Sequence, residues 1–366
     1  MRILVVNAGS SSTKLRVVDD NDRVSASADL GPPGPDLVDR LGEFVAGAGL
    51  LDAAGHRVVH GGERLTEPVI VDGAVRGELE TLATLAPLHN PPALAAIDAL
   101  GRWSPALPSV ACFDTAFHAS LPVEVSSYAL PVEWITRWGI RRYGFHGLSC
   151  TWAVTRAAEL LDRPSVHRLV VCHLGAGASV TAVLDGRSVD TTMGFTPLEG
   201  LVMATRPGDV DPGVISWLLH HGISLDELDD ALEHRSGLAA LSGEAKGDMR
   251  IVLERRSRGD DRAATAVEVY LHRLRAKIAG MTAAMGGLDG LVFTGGVAER
   301  SSAMRAEACT GLNWLGVELD GDANVHVGDD DAVIGRPGLT VATMVVHARE
   351  ELVIAAATRR LVTERT

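Results

Sequence analysis

The sequence predicts an α/β protein of two similar domains, and three observations carry that reading. The chain has 366 residues, a length that suggests two hydrophobic cores. It is 46% hydrophobic and 22% charged, with 39 glycines and few aromatics, a composition suited to strands and helices joined by many tight turns. The third observation is an internal echo. RILVVNAGSSSTKLRVVDD near the N-terminus reappears in outline, roughly 165 residues later, as HRLVVCHLGAGASVTAVLDG. Each has an apolar strand, a turn of Gly, Ala and Ser, a second apolar strand and an acidic turn. Hairpins with small-residue turns are common, so coincidence stands beside duplication as the explanation of the pair.

The elements follow in order along the chain. Apolar, β-branched runs at 3–6 and 15–18 read as strands. GPPGPD at 31–36 is loop, because Pro and Gly punctuate it. Residues 57–59 and 109–113 read as short buried strands, and 93–100 as helix. The second strand series begins at Val166. Residues 264–285 form a long helix, since Val267, Leu271, Leu274, Ile278, Met281 and Met285 recur at three- and four-residue steps. Gly286-Gly287 stops it, and 291–293 reads as a buried strand running into TGGVAERSS. A last helix starts at Glu350–Glu351.

Charge and cysteine usage narrow the function. Lys and Arg number 34 against 47 Asp and Glu, a net charge of −13. That argues against a nucleic-acid groove and against an anionic membrane surface, so any anion site is local. The cysteines, 112, 150, 172 and 309, show no CxxC spacing and are expected to be reduced and buried. No run approaches the roughly 20 apolar residues that span a bilayer. No signal sequence precedes Asn7. A cytoplasmic location is expected.

Several motifs can carry chemistry. In NAGSSSTK, six small or amide residues precede Lys14. Backbone N–H groups in such a turn can cradle phosphate, although Gly and Ser also suit a plain hairpin. No G-x-x-x-x-G-K-[ST] and no strand-borne G-x-G-x-x-G occur, which excludes a P-loop and leaves a Rossmann cofactor unsupported. GHRVVHGGE carries Arg57, which either serves a site or caps a surface pair. LAPLHNPP holds His89 in a Pro-stiffened loop. FDTAFH sets Asp114 just past an apolar run, where α/β enzymes hold catalytic groups and where Asp also caps helices. RRYGFHGLSC places His146 between glycines. A long loop at 191–213 carries Arg206, Asp209 and Asp211. Asp248–Arg250 and Thr294–Arg300 put polar groups at element ends, and Gly295-Gly296 lets something flat approach backbone. Anion turns, isolated arginines, a strand-end Asp and a His between glycines suit phosphoryl transfer, which needs positioning and positive charge.

NAGSSSTK, HRVVHGGE, LAPLHNPP, FDTAFH, YGFHG, CHLGAGAS, DTTMGFTPLEGLVMATRPGDVDP, SGEAKGDMR, FTGGVAER and EELVIA stand in the order found in acetate kinases. The resemblance covers nearly the whole chain. It implies the duplicated actin-like (ribonuclease H-like) fold shared with sugar kinases, with a central cleft. Its lobes are expected at 1–116 plus 350–366 and at 117–349. It also implies a homodimer and reversible, Mg2+-dependent phosphoryl transfer between ATP and acetate, with Mn2+ as an alternative metal. On this resemblance Asn7, Ser10, Ser12 and Lys14 form the first phosphate loop, and His173, Gly175 and Gly177 the second. Arg57 and Arg206 flank the transferring group, and His146 donates to the transition state. His89 supports it. Asp114 and Glu350, with Asn7, are associated with the metal. Val59, Leu88, Phe145 and Pro197 line a methyl pocket. Asp248, Arg250, Gly295 and Gly296 belong to the nucleotide pocket.

Departures from the family pattern gather on the nucleotide side. Ala176 replaces an Asn, GVAER replaces GIGEN, YGFHGLSC replaces YGFHGTSH, and Ala348-Arg349 precedes EEL. The expectation is a weaker or altered phosphoryl donor, another nucleotide or pyrophosphate, with acetate retained. Ala298 would narrow the base or ribose pocket. Propionate or butyrate kinase, and a paralogue without catalysis, are the alternative functions.

Overall fold

A computed structural model describes residues 1–9, 12–84, 90–161 and 167–364. Ser10, Leu88 and His89 lie outside the described residues. Two compact units partition the chain. The first comprises Met1–Ala119, Phe145–Trp152 and Arg349–Thr366, and the second Ser120–Gly144 and Ala153–Ala348. The segment around His146 thus joins the first unit, whereas the boundaries read from sequence left it in the second lobe.

The first unit holds a six-stranded sheet built from β1 (Ile3–Ala8), β2 (Thr13–Val18), β3 (Val24–Asp29), β4 (Ala53–Val58), β5 (Val69–Ile70) and β6 (Ser109–Phe113). Its order is β3-β2-β1-β4-β6-β5. β1, β4 and β6 run parallel, while β2, β3 and β5 are antiparallel to their neighbours. A strand in the middle of such a sheet is buried on both faces and must be apolar throughout. In β1, Leu4 and Val6 pack beside Leu41, Val45 and Leu100 of two helices, Leu37–Ala48 and Asn90–Trp103. Ile3 and Val5 face the other way, with Ile354 and Ala355 of the terminal helix Glu350–Glu364. Gly55 lets that helix sit close. A Cβ there would lie 2.4 Å from Thr358 Oγ1 and 2.5 Å from Ile354 Cγ2.

The second unit repeats the plan with β7 (Arg168–Leu174), β8 (Ala178–Leu184), β9 (Arg187–Thr191), β10 (Gly290–Thr294), β11 (Ala332–Val333) and β12 (Ala342–Val345). The order β9-β8-β7-β10-β12-β11 matches the first sheet strand for strand and direction for direction. Even the irregularity repeats. Pairing slips after the fifth residue of the middle hairpin strand in both, at Val17/Val18 and at Ala182/Val183. Chance hairpins do not share a six-strand topology and a bulge position, so duplication explains the sequence echo. The helix Asp261–Ala284 buries Val267, Leu271, Leu274, Ile278 and Met281, as the periodicity predicts. It starts three residues before the expected 264 because Asp260 caps it, accepting from Ala263 N.

Candidate active site

In the first unit, functional side chains collect where β1, β4 and β6 end. Arg57 is the penultimate residue of β4, a correction to the expected strand at 57–59, in which it came first. Its partner is internal. Nε lies 3.0 and 3.2 Å from the two oxygens of Asp114, and Nη2 lies 2.5 Å from Oδ2. Nη1 donates to Asn7 Oδ1 at 3.2 Å, and Glu350 Oε2 stands 3.8 Å from Nε. Asp114 is 1% exposed and Arg57 22%. Burial works against the guanidinium charge, but Asp114 and Glu350 outweigh it and hold the pKa above the ordinary arginine value. The Asp114 carboxylate therefore serves Arg57. Thr115 begins the 3-10 turn Ala116–His118 that follows.

His146 lies in the same unit as this cluster. Its φ is +59°, a left-handed conformation that a side chain disfavours. Gly147 donates its N–H to Asp114 O at 2.8 Å. A Cβ at Gly147 would lie 2.2 Å from that same oxygen, so only glycine lets the turn approach β6. Val59 and Phe145 are buried. Asn7 ends up within β1 rather than in the turn, and Lys14 is an exposed residue of β2. Ser12 is taken up by Asp29, at 2.7 Å.

In the second unit, Arg206 contacts Pro197 O at 3.2 Å and Glu233 at 3.3 Å. Burial pulls its pKa below the ordinary value, with Glu233 opposing. The loop that presents it is braced by Arg142, which donates to the carbonyls of Thr191, Thr192 and Met193 and to Glu199. Tyr128 also bonds Glu199. Nearby, a cavity of about 480 Å³ is lined by apolar Leu238, Leu253 and Val297, by Gly175 and Gly296, and by Lys246, Arg250 and Arg300. An apolar floor with cations around it suits a nucleotide, whose base is flat and whose phosphates are anionic.

The acetokinase family model matches residues 38–356. The chain belongs to the acetokinase family. It is 44% identical over 385 residues to the acetate kinase of Arthrobacter sp. (strain FB24), covering 99% of each. It is 40% identical over 357 residues to the acetate kinase of Rippkaea orientalis, covering 96% of this chain and 86% of that protein. Among solved structures, Porphyromonas gingivalis acetate kinase matches with a TM-score of 0.90 at 33% identity, over 99% of both chains. A propionate kinase from Francisella tularensis also gives 0.90 at 33%, over 98% of this chain and 99% of that one. The fold is the duplicated actin-like one that the family resemblance implied.

Within this acetokinase chain the structure brings Asn7, Arg57, Asp114 and Glu350 into one bonded group. In the second unit it brings Gly175, Asp248, Arg250 and Gly296 to one cavity. Gly177, Gly295 and His173 are not among the residues that line it. Gly295, at φ +84°, packs on Leu174, and the Gly177 carbonyl closes the β7–β8 turn onto Gly175 N at 2.9 Å. Asp248 caps the helix Met249–Ser257 and grips Arg250 Nη2 at 2.6 Å, so its charge is already spent within the protein.

Two expectations about the departures change. Ala298 is fully buried and does not line the cavity, so its methyl does not narrow it. Leu148 and Cys150 are likewise core residues. Ala176 and Arg300 do line the cavity. Sequence reasoning missed the supports: Glu233 on Arg206, Arg142 with Glu199, and Glu299, whose Oε1 accepts from both Gly295 N and Ala348 N at 2.8 Å. The four cysteines are buried.

Proposed function

We propose that this chain transfers the γ-phosphoryl group of ATP to acetate, reversibly and in line, giving acetyl phosphate and ADP. The observation that carries this reading is the Arg57 cluster: a guanidinium kept charged and fixed in direction before any substrate arrives. An acetate oxygen attacks phosphorus as the ADP oxygen leaves. The planar phosphoryl group between them spreads charge over three oxygens. A guanidinium matches those oxygens better than an ammonium does. Arg57 and Arg206 take that role, and His146 donates a hydrogen bond. Val59, Phe145 and Pro197 supply the apolar lining for the methyl group.

Asn7, Asp114 and Glu350 are hard oxygen donors and fit Mg2+, which keeps waters and binds through one or two carboxylates plus substrate phosphates. Bound there, Mg2+ would neutralise phosphate charge. Glu350, not Glu351, is the glutamate within ion-pair distance of Arg57. The nucleotide occupies the 480 Å³ cavity. Arg300 and Ala176 in its lining support altered donor preference.

The first experiment is a hydroxamate assay for acetyl phosphate with ATP, GTP and pyrophosphate as donors. Arg57→Ala and Arg206→Ala should each lower turnover about a hundredfold, by the roughly 2.7–4 kcal/mol a preorganised donor contributes. Parental turnover in both would remove the assigned roles. The similarity to a propionate kinase supports a second reading, tested by comparing acetate, propionate and butyrate. One methylene discriminates by roughly 10–200-fold.

A homodimer and a cytoplasmic location complete the proposal. Val132, Trp134 and Trp138 on one helix and Trp217 on another are 73%, 47%, 51% and 58% exposed. Such surface favours a protein partner, and light scattering of the purified chain tests for a second copy. No described helix is long and apolar enough to cross a membrane.

A further inference from the structure

We propose that His118 is a positioning residue for His146, acting through the carbonyl of Phe145. The inference rests on the proposed role of His146. It starts from a backbone problem. His146 holds φ +59° and follows Gly144 at +73°. A side chain in that region costs on the order of 1–2 kcal/mol, so the turn persists only where its surroundings hold it.

Contacts on both sides of His146 hold it. On the far side of His146, Gly147 N donates to Asp114 O at 2.8 Å. On the near side, His118 Nε2 lies 2.9 Å from Phe145 O. A carbonyl only accepts, so Nε2 carries the proton in this contact. His118 is 1% exposed, and burial pulls its pKa down to about 4, so the ring is neutral at neutral pH. A neutral ring can hold this tautomer, with one nitrogen protonated towards Phe145 O. Phe145 is itself 1% exposed, and its ring meets His60 edge-on at 5.5 Å. The residue before His146 is thus fixed through both its carbonyl and its side chain.

The six-residue stretch FDTAFH therefore carries two tasks. Its Asp114 carboxylate orients Arg57, and its Asp114 carbonyl and His118 ring clamp the turn of His146. The short 3-10 turn Ala116–His118 sets the spacing between them. Arg57 and His146 are registered against each other by one rigid element, and His118 is its outer tie.

Three variants of the full-length chain test this, each assayed for kcat, for KM of acetate and ATP, and for thermal midpoint. His118→Phe fills the volume without a donor. His118→Gln places an amide N–H near the Nε2 position, and His118→Asn places one too short to reach. The Phe and Asn variants should lose about tenfold to a hundredfold in kcat with each KM within about threefold, as expected for a displaced catalytic group. The Gln variant should recover most of the lost turnover. Should the Phe variant fail to fold, the Gln–Asn pair decides. Equal turnover in Gln and Asn, or a loss confined to KM, overturns the inference. His146→Ala separates the two readings. If it loses activity while His118→Phe and His118→Asn keep parental kcat, only the role of His118 falls. If it keeps parental kcat, the role of His146 falls and this inference with it.

Discussion

Gly147→Ala is the perturbation whose size the structure sets most directly. The added Cβ would lie 2.2 Å from Asp114 O, 2.8 Å from Phe117 Cβ and 3.1 Å from Asp114 C. Real Cβ contacts essentially never fall below 3.0 Å, so the turn must retreat from β6 by close to 1 Å. Two of the three crowded atoms are backbone, and no side-chain rotation relieves them. The retreat stretches the 2.8 Å bond from Gly147 N to Asp114 O, a loss of about 1 kcal/mol. Overpacking adds about 1–3 kcal/mol of destabilisation. His146 moves with its neighbour, and a misplacement of about 1 Å costs about a hundredfold in rate. The assay is steady-state acetyl phosphate formation beside a thermal melt. Gly77→Ala serves as the control, a helical glycine whose Cβ would meet nothing within 4 Å. The control should keep turnover and gain up to about 1 kcal/mol. A Gly147→Ala enzyme within threefold of parental kcat would show that the turn carries no catalytic group.

Glu233→Gln should lower kcat about tenfold with little change in thermal midpoint, because it frees the Arg206 side chain without opening a cavity; a drop in stability with unchanged kcat would contradict this. The buried rings of His56 and His118 both titrate near 4 instead of 6.5. The unfolded chain takes up those protons first as pH falls, so the stability is whole above about 6.5 and drains away towards 4, by up to about 3 kcal/mol per ring. Urea midpoints at pH 7 and 4.5 should differ accordingly, and His56→Leu should flatten the difference. Tyr270→Phe should leave stability equal or raise it by about 1 kcal/mol, since among the described residues the buried hydroxyl has no hydrogen-bond partner; a loss of 2 kcal/mol would point to a bonded hydroxyl. Calorimetric titration with ATP should show at least tenfold weaker binding in EDTA than in Mg2+, and equal binding would remove the metal from the nucleotide complex.

The sheet scaffold was legible because burial on both faces forces an unmistakable pattern. Ile3 to Val6 can be little else than a central strand, and Val267 to Met281 little else than the buried face of a long helix. What periodicity could not supply was the edge. β5 and β11 have two residues each, too short to show any alternation. The site was legible as residue types and hidden as partnerships. Asp114 showed as a strand-end carboxylate, but nothing in the sequence said that its partner is Arg57. Glu233 gave no signal at all, because a glutamate on the polar side of an amphipathic helix is indistinguishable from a solvated one. The Ala298 expectation failed for a related reason. Position within a motif does not say which way a Cβ points, and here it points into the core.

The charge sum around Arg57 is a physical argument for the divalent cation proposed at this cluster. One guanidinium stands against two carboxylates, so the bonded group carries a net −1 on its own. Its Nε and Nη2 edge, the edge that would fork onto a phosphoryl group, is directed at Asp114. An incoming phosphate therefore meets a negative sum and an occupied fork. A divalent oxygen-seeking cation held by Asp114 and Glu350 would reverse both conditions at once. It would bring the sum to +1 and would compete with Arg57 for the carboxylate oxygens, leaving N–H groups for the substrate. Asn7 fits the same logic, since an amide oxygen can pass from guanidinium to metal without changing the charge. The ion pair then acts as a holding state. It keeps a part-buried arginine charged and aimed while the site waits, and a cation arriving with the nucleotide would weaken it.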